Sequence, residues 1–259
     1  MPEGPSLVIM RQECQLFAGR KIRRVEGNSK VIDIQRMSGQ YVEAVRSWGK
    51  HFLVQFPEFA LRVHLMMFGS YRINERKQTP ARLSLEFGKD ELNLYGCSVR
   101  YIEGRLDHVY DWSGDVLSPA WDPAAAHAKL LQRPEMLVCD ALLDQAIFAG
   151  VGNIIKNEAL FRIYLHPLNR IGALPANQLE ELISVAREYS FDFLEWKKAF
   201  VLKKHWLVHN KVACVRCMIP LRRAYLGKYQ RRTFYCENCQ MLWDKSGHLS
   251  GYASAQVLK

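Results

Sequence analysis

Apolar residues at Leu7, Met10, Cys14 and Phe17 recur at helical spacing just after the chain start, and Gly19 follows as a stop. From Lys21 to about Ile102 the pattern shortens to strand-like runs at 41–45, 51–56, 61–65, 83–87 and 92–95. The last two are joined by Gly88-Lys89-Asp90. Several short strands with turn signals and no long helix predict a β-sandwich or barrel. The turn-rich stretch from Asp111 to Pro123 breaks this pattern and marks a domain boundary. Beyond it the periodicity is helical through Leu130, Leu137, Ala141 and Phe148. Gly150-Val151-Gly152-Asn153 then allows a tight turn into a new helix, which His166-Pro167 ends. Pro175, Asn177 and Glu180 start another, with Leu179, Leu182, Ile183 and Ala186 on its apolar face. No internal repeat is visible.

The 259 residues suffice for two domains with cores of their own. Seven cysteines, an odd number with Cys14, Cys97 and Cys139 scattered, argue against a disulfide framework and for a reducing compartment. Glu3 sits where a secretory signal carries positive charge, and no run approaches the ~18 apolar residues of a membrane span. The expectation is a soluble intracellular protein with no membrane partner. Net charge is +10 and the pI about 9.3. Between Lys197 and Arg232 lie eleven Lys or Arg and no Asp or Glu, interleaved with Trp206, Tyr225, Tyr229 and Phe234. Such a stripe suits nucleic acid; its alternative is a solvated basic face.

Five features carry candidate chemistry. Methionine followed by proline is readily removed, which would leave Pro2 with a free secondary amine. An α-amino group titrates near ~8 rather than the ~10.4 of lysine, so it is a nucleophile near neutrality and can attack an aldehyde carbon. The product is a cationic iminium that acidifies neighbouring C–H groups, and Glu3 can move such a proton. Second, Lys50 stands at a strand start, where a side chain projects from a sheet rim. Third, Met66-Met67-Phe68 before Gly69 reads as an apolar loop tip, either packed in the core or exposed as a wedge that enters a DNA stack. Fourth, Cys214-Val-Arg-Cys217 and Cys236-Glu-Asn-Cys239, separated by eighteen residues, can give four thiolates to one structural Zn²⁺ that staples a hairpin. Fifth, Asn153 opens a helix whose exposed N–H groups and positive dipole end can receive a phosphate.

Taken together, Met1-Pro2-Glu3-Gly4-Pro5, Gly49-Lys50, His64, Gly150-Val151-Gly152-Asn153-Ile154 with Glu158-Ala159-Leu160-Phe161, His166-Pro167 and Gln230-Arg231-Arg232-Thr233-Phe234-Tyr235-Cys236 resemble the formamidopyrimidine-DNA glycosylase and endonuclease VIII family of base-excision repair enzymes. The resemblance implies an α+β protein: a β-sandwich with an N-terminal helix over 1–115, a helix-two-turns-helix domain over 116–205, a zinc finger over 206–242 and a tail over 243–259. It implies damaged double-stranded DNA as partner, held in a cleft between domains, and a monomer in the cytoplasm. Pro2 would attack C1′ of the damaged nucleotide and Glu3 would donate and shuttle protons. Lys50, His64, Asn153 and Arg231 would grip phosphates, Lys50 also serving β-elimination and Arg231 δ-elimination.

Ser6 stands where the family usually has glutamate. No Asp-Pro-Arg-Arg-Phe run is present; Tyr95-Gly96-Cys97-Ser98-Val99-Arg100-Tyr101 occupies that region. Met66-Met67-Phe68 resembles the single wedge of the endonuclease VIII branch, which implies a preference for oxidised pyrimidines. The competing expectations are an abasic-site lyase without base removal and a non-catalytic DNA- or RNA-binding zinc protein.

Overall fold

The computed structural model describes residues 2–244, so the expected tail over 243–259 lies almost wholly outside the described residues. The chain forms two compact units, Met1–Trp112 and Ser113–Lys259.

In the first unit, Pro5 opens helix α1 (Gly4–Cys14), which a short 3₁₀ turn continues to Phe17. Its stripe of Leu7, Met10, Cys14 and Phe17 is at most 1 % exposed. That stripe lies on strands β2 (Ala44–Trp48) and β3 (His51–Gln55). One six-stranded antiparallel sheet holds the unit together, in the order β1-β5-β6-β4-β3-β2. β1 covers Arg24–Glu26, β4 Phe59–Ile73, β5 Leu83–Glu86 and β6 Glu91–Glu103.

The two long strands make two layers from this one sheet. The first half of β4 pairs with β3 and the last part of β6, whereas its second half, from Ser70, pairs with the start of β6, which also carries β5. A register shift separates the halves between Leu65 and Ser70. Apolar residues of both halves, among them Phe52, Val54, Leu61 and Val63 with Leu83, Leu85, Leu92 and Leu94, share one core with α1. The expected sandwich is thus a continuous sheet that changes direction at a bulge.

The second unit begins with α2 (Pro123–Leu131), where the Asp122 carboxylate accepts from the N–H groups of Ala124 and Ala125. Short α3 (Val138–Ala141), α4 (Asn153–Arg162) and the long α5 (Ala176–Lys198) pack around Leu160, Leu182, Ala186 and Tyr189. α4 ends at Arg162, ahead of His166-Pro167. Strands β7 (Arg222–Leu226) and β8 (Arg231–Tyr235) form a hairpin against α4. Among the described residues no helix is long and apolar enough to cross a membrane.

At the bulge, a Cβ on Gly69 would stand 2.7 Å from both the Gly96 oxygen and the Met66 nitrogen. Both neighbours are backbone, so the strands must part to admit it. Gly69→Ala is therefore expected to lower the urea midpoint of unfolding by an amount worth about 1–3 kcal/mol. An unchanged midpoint would show that the crossing of β4 and β6 has room to spare.

Candidate functional site

The chain start is extended at Glu3 (φ −107°, ψ 171°), whose carbonyl accepts from the Ser6 N–H at 2.8 Å to begin α1. Pro2 is half-buried, and Glu3 is only 4 % exposed. Because α1 buries its apolar stripe on β2 and β3, Pro2 and Glu3 are fixed to the hairpin that carries Lys50. Trp48 pairs with His51, leaving Gly49-Lys50 as a two-residue turn, and Gly49 takes the positive φ (52°) such a turn needs. Lys50 is therefore at the hairpin tip, half-exposed.

His64 joins it from β4. His64 is the register partner of His51, and its Nδ1 lies 3.2 Å from the Lys50 carbonyl oxygen. A carbonyl only accepts, so Nδ1 carries the proton, and a neutral ring then presents Nε2 as a lone pair. Burial lowers the His64 pKa from its ordinary value, and the charges of Lys50 and Arg62 push the same way. His51 beneath it is pushed down to about 4 by burial and by Arg62, and its Nδ1 contacts the Tyr110 hydroxyl at 3.1 Å.

Met66, Met67 and Phe68 are 53 %, 56 % and 89 % exposed, so they are not core residues. Nor are they a loop tip: they form the bulge of β4, where four residues, 66–69, stand opposite Gly96 alone. The sequence missed this because the strand pattern resumes at Ser70. The Tyr95–Tyr101 stretch lies inside β6 and forms no second loop.

In the second unit Asn153 is the first residue of α4, after the N-cap Gly152, which has no side chain to cap the helix. Its Nδ2 donates to the Arg232 carbonyl at 2.8 Å, while its Oδ1 is buried without a hydrogen-bond partner. Asn153 thus ties the start of α4 to the start of β8, where half-buried Arg231 stands. Further residues that the sequence did not single out hold this arrangement. Lys156, fully buried, donates to the Thr233 hydroxyl at 2.7 Å, and that hydroxyl donates to the Arg231 carbonyl at 3.0 Å. Asp140 accepts from the N–H groups of Lys228 (2.8 Å) and Tyr229 (3.3 Å) in the β7–β8 turn. Gly227 (φ 68°) makes room, since a Cβ there would come within 2.3 Å of Asp140 Oδ1. Buried Glu158 receives the backbone N–H groups of Leu207, Val208 and His209. Asn157 Nδ2 donates to His209 Nδ1 at 3.0 Å, in keeping with a His209 pushed down to about 4 by burial and the nearby Lys156 and Arg232 charges.

Cys214, Cys217, Cys236 and Cys239 bring their sulfurs within 4.8 Å of one another, a cluster that can hold a metal ion. The 3.7 Å between the sulfurs of Cys214 and Cys239 matches the edge of about 3.8 Å that a tetrahedron with ~2.3 Å metal–sulfur bonds requires. Asn238 Nδ2 (3.2 Å from Cys217) and Arg216 Nη1 (3.8 Å from Cys239) donate to sulfur, the second layer such a site uses. Apart from Cys214, Cys236 and Cys239, the buried core here is only Phe161, Val208 and Phe234, too small to hold a finger alone.

Residues 1–105 match the model of the formamidopyrimidine-DNA glycosylase N-terminal domain and residues 114–191 that of the formamidopyrimidine-DNA glycosylase H2TH domain. Endonuclease 8-like 3 of Xenopus laevis is 32 % identical over 230 residues, which cover 84 % of this chain but only 37 % of the relative. The chain thus spans little more than a third of the length of that relative. Endonuclease 8 2 of Mycobacterium bovis is 30 % identical over 262 residues, covering 93 % of this chain and all (100 %) of the relative. In fold, the chain is similar to the crystal structure of Lactococcus lactis formamidopyrimidine-DNA glycosylase bound non-covalently to DNA containing an abasic site: TM-score 0.80, 21 % identity, 92 % of this chain and 99 % of that one. With two domain models matched in order and one relative covered end to end, the chain belongs to the formamidopyrimidine-DNA glycosylase and endonuclease VIII family.

Proposed function

We propose that this protein is a base-excision DNA repair enzyme that removes oxidised bases and then cleaves the strand, using Pro2 as nucleophile after removal of Met1. The observation that carries the reading is the anchored start: a half-buried Pro2 beside a nearly buried Glu3, on a helix seated against the Lys50 hairpin. The first residues of a domain are ordered only where an element ties them down, and here α1 does so.

In this mechanism the Pro2 nitrogen forms a bond to C1′ of the damaged nucleotide, and the glycosidic bond breaks as the base leaves with a proton. Glu3 protonates the opening sugar, leaving the iminium between Pro2 and C1′. Loss of the C2′ proton then expels the 3′ phosphate, and a second elimination expels the 5′ phosphate. Water hydrolyses the remaining iminium and returns the free amine. Lys50 neutralises phosphate charge during β-elimination, Arg231 during δ-elimination, and His64 and Asn153 hold flanking phosphates. Met66, Met67 and Phe68 fill the gap left by the flipped nucleotide, which lowers the few kcal/mol that flipping costs. One wedge on β4, with β6 continuous where a second would stand, supports oxidised pyrimidines over 8-oxoguanine. The four cysteines hold one structural Zn²⁺ that keeps the Arg231 hairpin folded.

Borohydride reduction in the presence of an abasic-site duplex is expected to trap a covalent complex with the protein and none with Pro2→Gly carrying an acetylated terminus. Equal trapping by the blocked variant would move the chemistry to another amine, and base release assayed apart from strand scission separates a glycosylase from a pure lyase.

His64 gives a pH signature. Its pKa in the free protein lies below the ordinary 6.5, so near neutrality its Nε2 is a lone pair and repels a phosphate oxygen. Gripping phosphate requires proton uptake, so its contribution to binding is present at acidic pH and lost as pH rises through the pKa in the complex. The affinity advantage of wild type over His64→Gln should therefore grow on going from slightly alkaline to mildly acidic buffer. A constant ratio would remove His64 from the phosphate contacts.

A further inference from the structure

Phe200 is 96 % exposed, the most exposed of the large apolar side chains among the described residues. It also has φ 60°, in the left-handed region. The cause is the end of α5. The Phe200 N–H returns to the Lys197 carbonyl (3.1 Å) and the Val201 N–H to the Trp196 carbonyl (2.9 Å), the bonding pair that closes a helix with one left-handed residue. Glycine takes that position without strain, whereas a side chain with a Cβ crowds the following carbonyl there. Among the described residues Phe200 therefore gains no burial, and it carries backbone strain.

The turn that displays it is well fixed. The His205 ring stacks on Trp196 at 4.1 Å and 3°, and Arg162 Nη2 donates to the His205 carbonyl at 3.4 Å. Around Phe200 in the chain cations outnumber acids, with Lys197, Lys198, Lys203 and Lys204 against Glu195. Lys198 is paired with Glu195, but among the described residues Lys197, Lys203 and Lys204 have no acidic partner, and Lys203 and Lys204 are exposed. The acid-free basic stretch of the sequence begins here, at Lys197.

We infer that Phe200, with Lys197, Lys203 and Lys204, is a second nucleic-acid contact that stacks an unpaired base of a single-stranded segment. A ring presented to water among cations offers a base a π-face and its phosphates their counter-charge, the combination that proteins use to hold single strands. In a duplex the faces of the bases are already stacked on one another, so the contact selects a strand without a partner. It uses no residue of the proposed excision chemistry and none of the wedge residues Met66, Met67 and Phe68.

The test is Phe200→Gly in the full-length, zinc-loaded protein, with fluorescent oligothymidylate as probe beside an oligomer of the same length made of abasic tetrahydrofuran units. Removing the strained ring should raise the thermal midpoint of unfolding and yet weaken oligothymidylate binding about fivefold or more. Binding of the abasic oligomer should stay as it is, while Lys203→Ser with Lys204→Ser should weaken both probes and flatten their salt dependence. Unchanged oligothymidylate affinity in Phe200→Gly overturns the proposal, as does an equal loss on both probes or a wild-type protein that does not bind oligothymidylate. Borohydride trapping on an abasic duplex, run on the same wild-type preparation, reports on the excision chemistry independently.

Discussion

Chain termini fray because their last residues make too few contacts to offset the ~1–2 kcal/mol of backbone entropy that each loses on ordering. A nucleophile placed at a terminus needs the opposite, a nitrogen held still while remaining reachable. In this protein α1 holds the start of the chain, as the proposed role of Pro2 requires. Leu7, Met10, Cys14 and Phe17 are each buried to within 1 % of completely, and a buried side chain of this kind contributes about 1.5–3 kcal/mol. Three or four of them outweigh the ordering of the two residues that precede the helix. The partner surface is β2 and β3, so the same burial that holds the terminus also fixes its relation to the Gly49-Lys50 turn. Glu3 shares in it, since its backbone starts the helix while its side chain is nearly out of solvent.

The second unit solves a different problem with polar groups. The β7–β8 hairpin is short and its core small; two buried ionisable residues, Asp140 and Lys156, reach it from the helical layer, and a third, Glu158, holds the segment that precedes it. Asp140 takes the turn N–H groups, Lys156 reaches β8 through Thr233, and Glu158 collects the backbone of 207–209. Such contacts add little net stability when made and cost several kcal/mol when one partner is lost. They define geometry more than they stabilise it. The cysteine cluster at the base of the hairpin can hold a metal ion, and an ion bound there would add the stability that so small a core lacks.

Local chemistry was legible in the sequence, and long-range satisfaction was not. The Cys-x-x-Cys pairs, the helical spacing of Leu7 to Phe17, the turn before Asn153 and the start of α5 each depend on residues within a few positions of one another. The bulge at 66–69 was misread as a loop because nothing nearby shows that the chain rejoins the same strand. Only the closeness of Gly69 to Gly96, 27 positions away, explains it. Asp140 bonds to a turn 88 residues along the chain and Lys156 to a hydroxyl 77 residues along. An isolated Asp or Lys in a helical stretch carries no mark of such a partner. Phe200 was invisible for a related reason: its strain and exposure exist only once the helix is seen to end there.

The central claim is that the terminal imino nitrogen forms the bond to the sugar. Proteolysis of the borohydride-reduced complex followed by peptide mass spectrometry tests it most directly. The account predicts that the sugar remnant is carried by the peptide that begins at Pro2, with Met1 absent. A remnant on a lysine peptide, that of Lys50 above all, or a protein that retains Met1 and still forms the adduct, would contradict it.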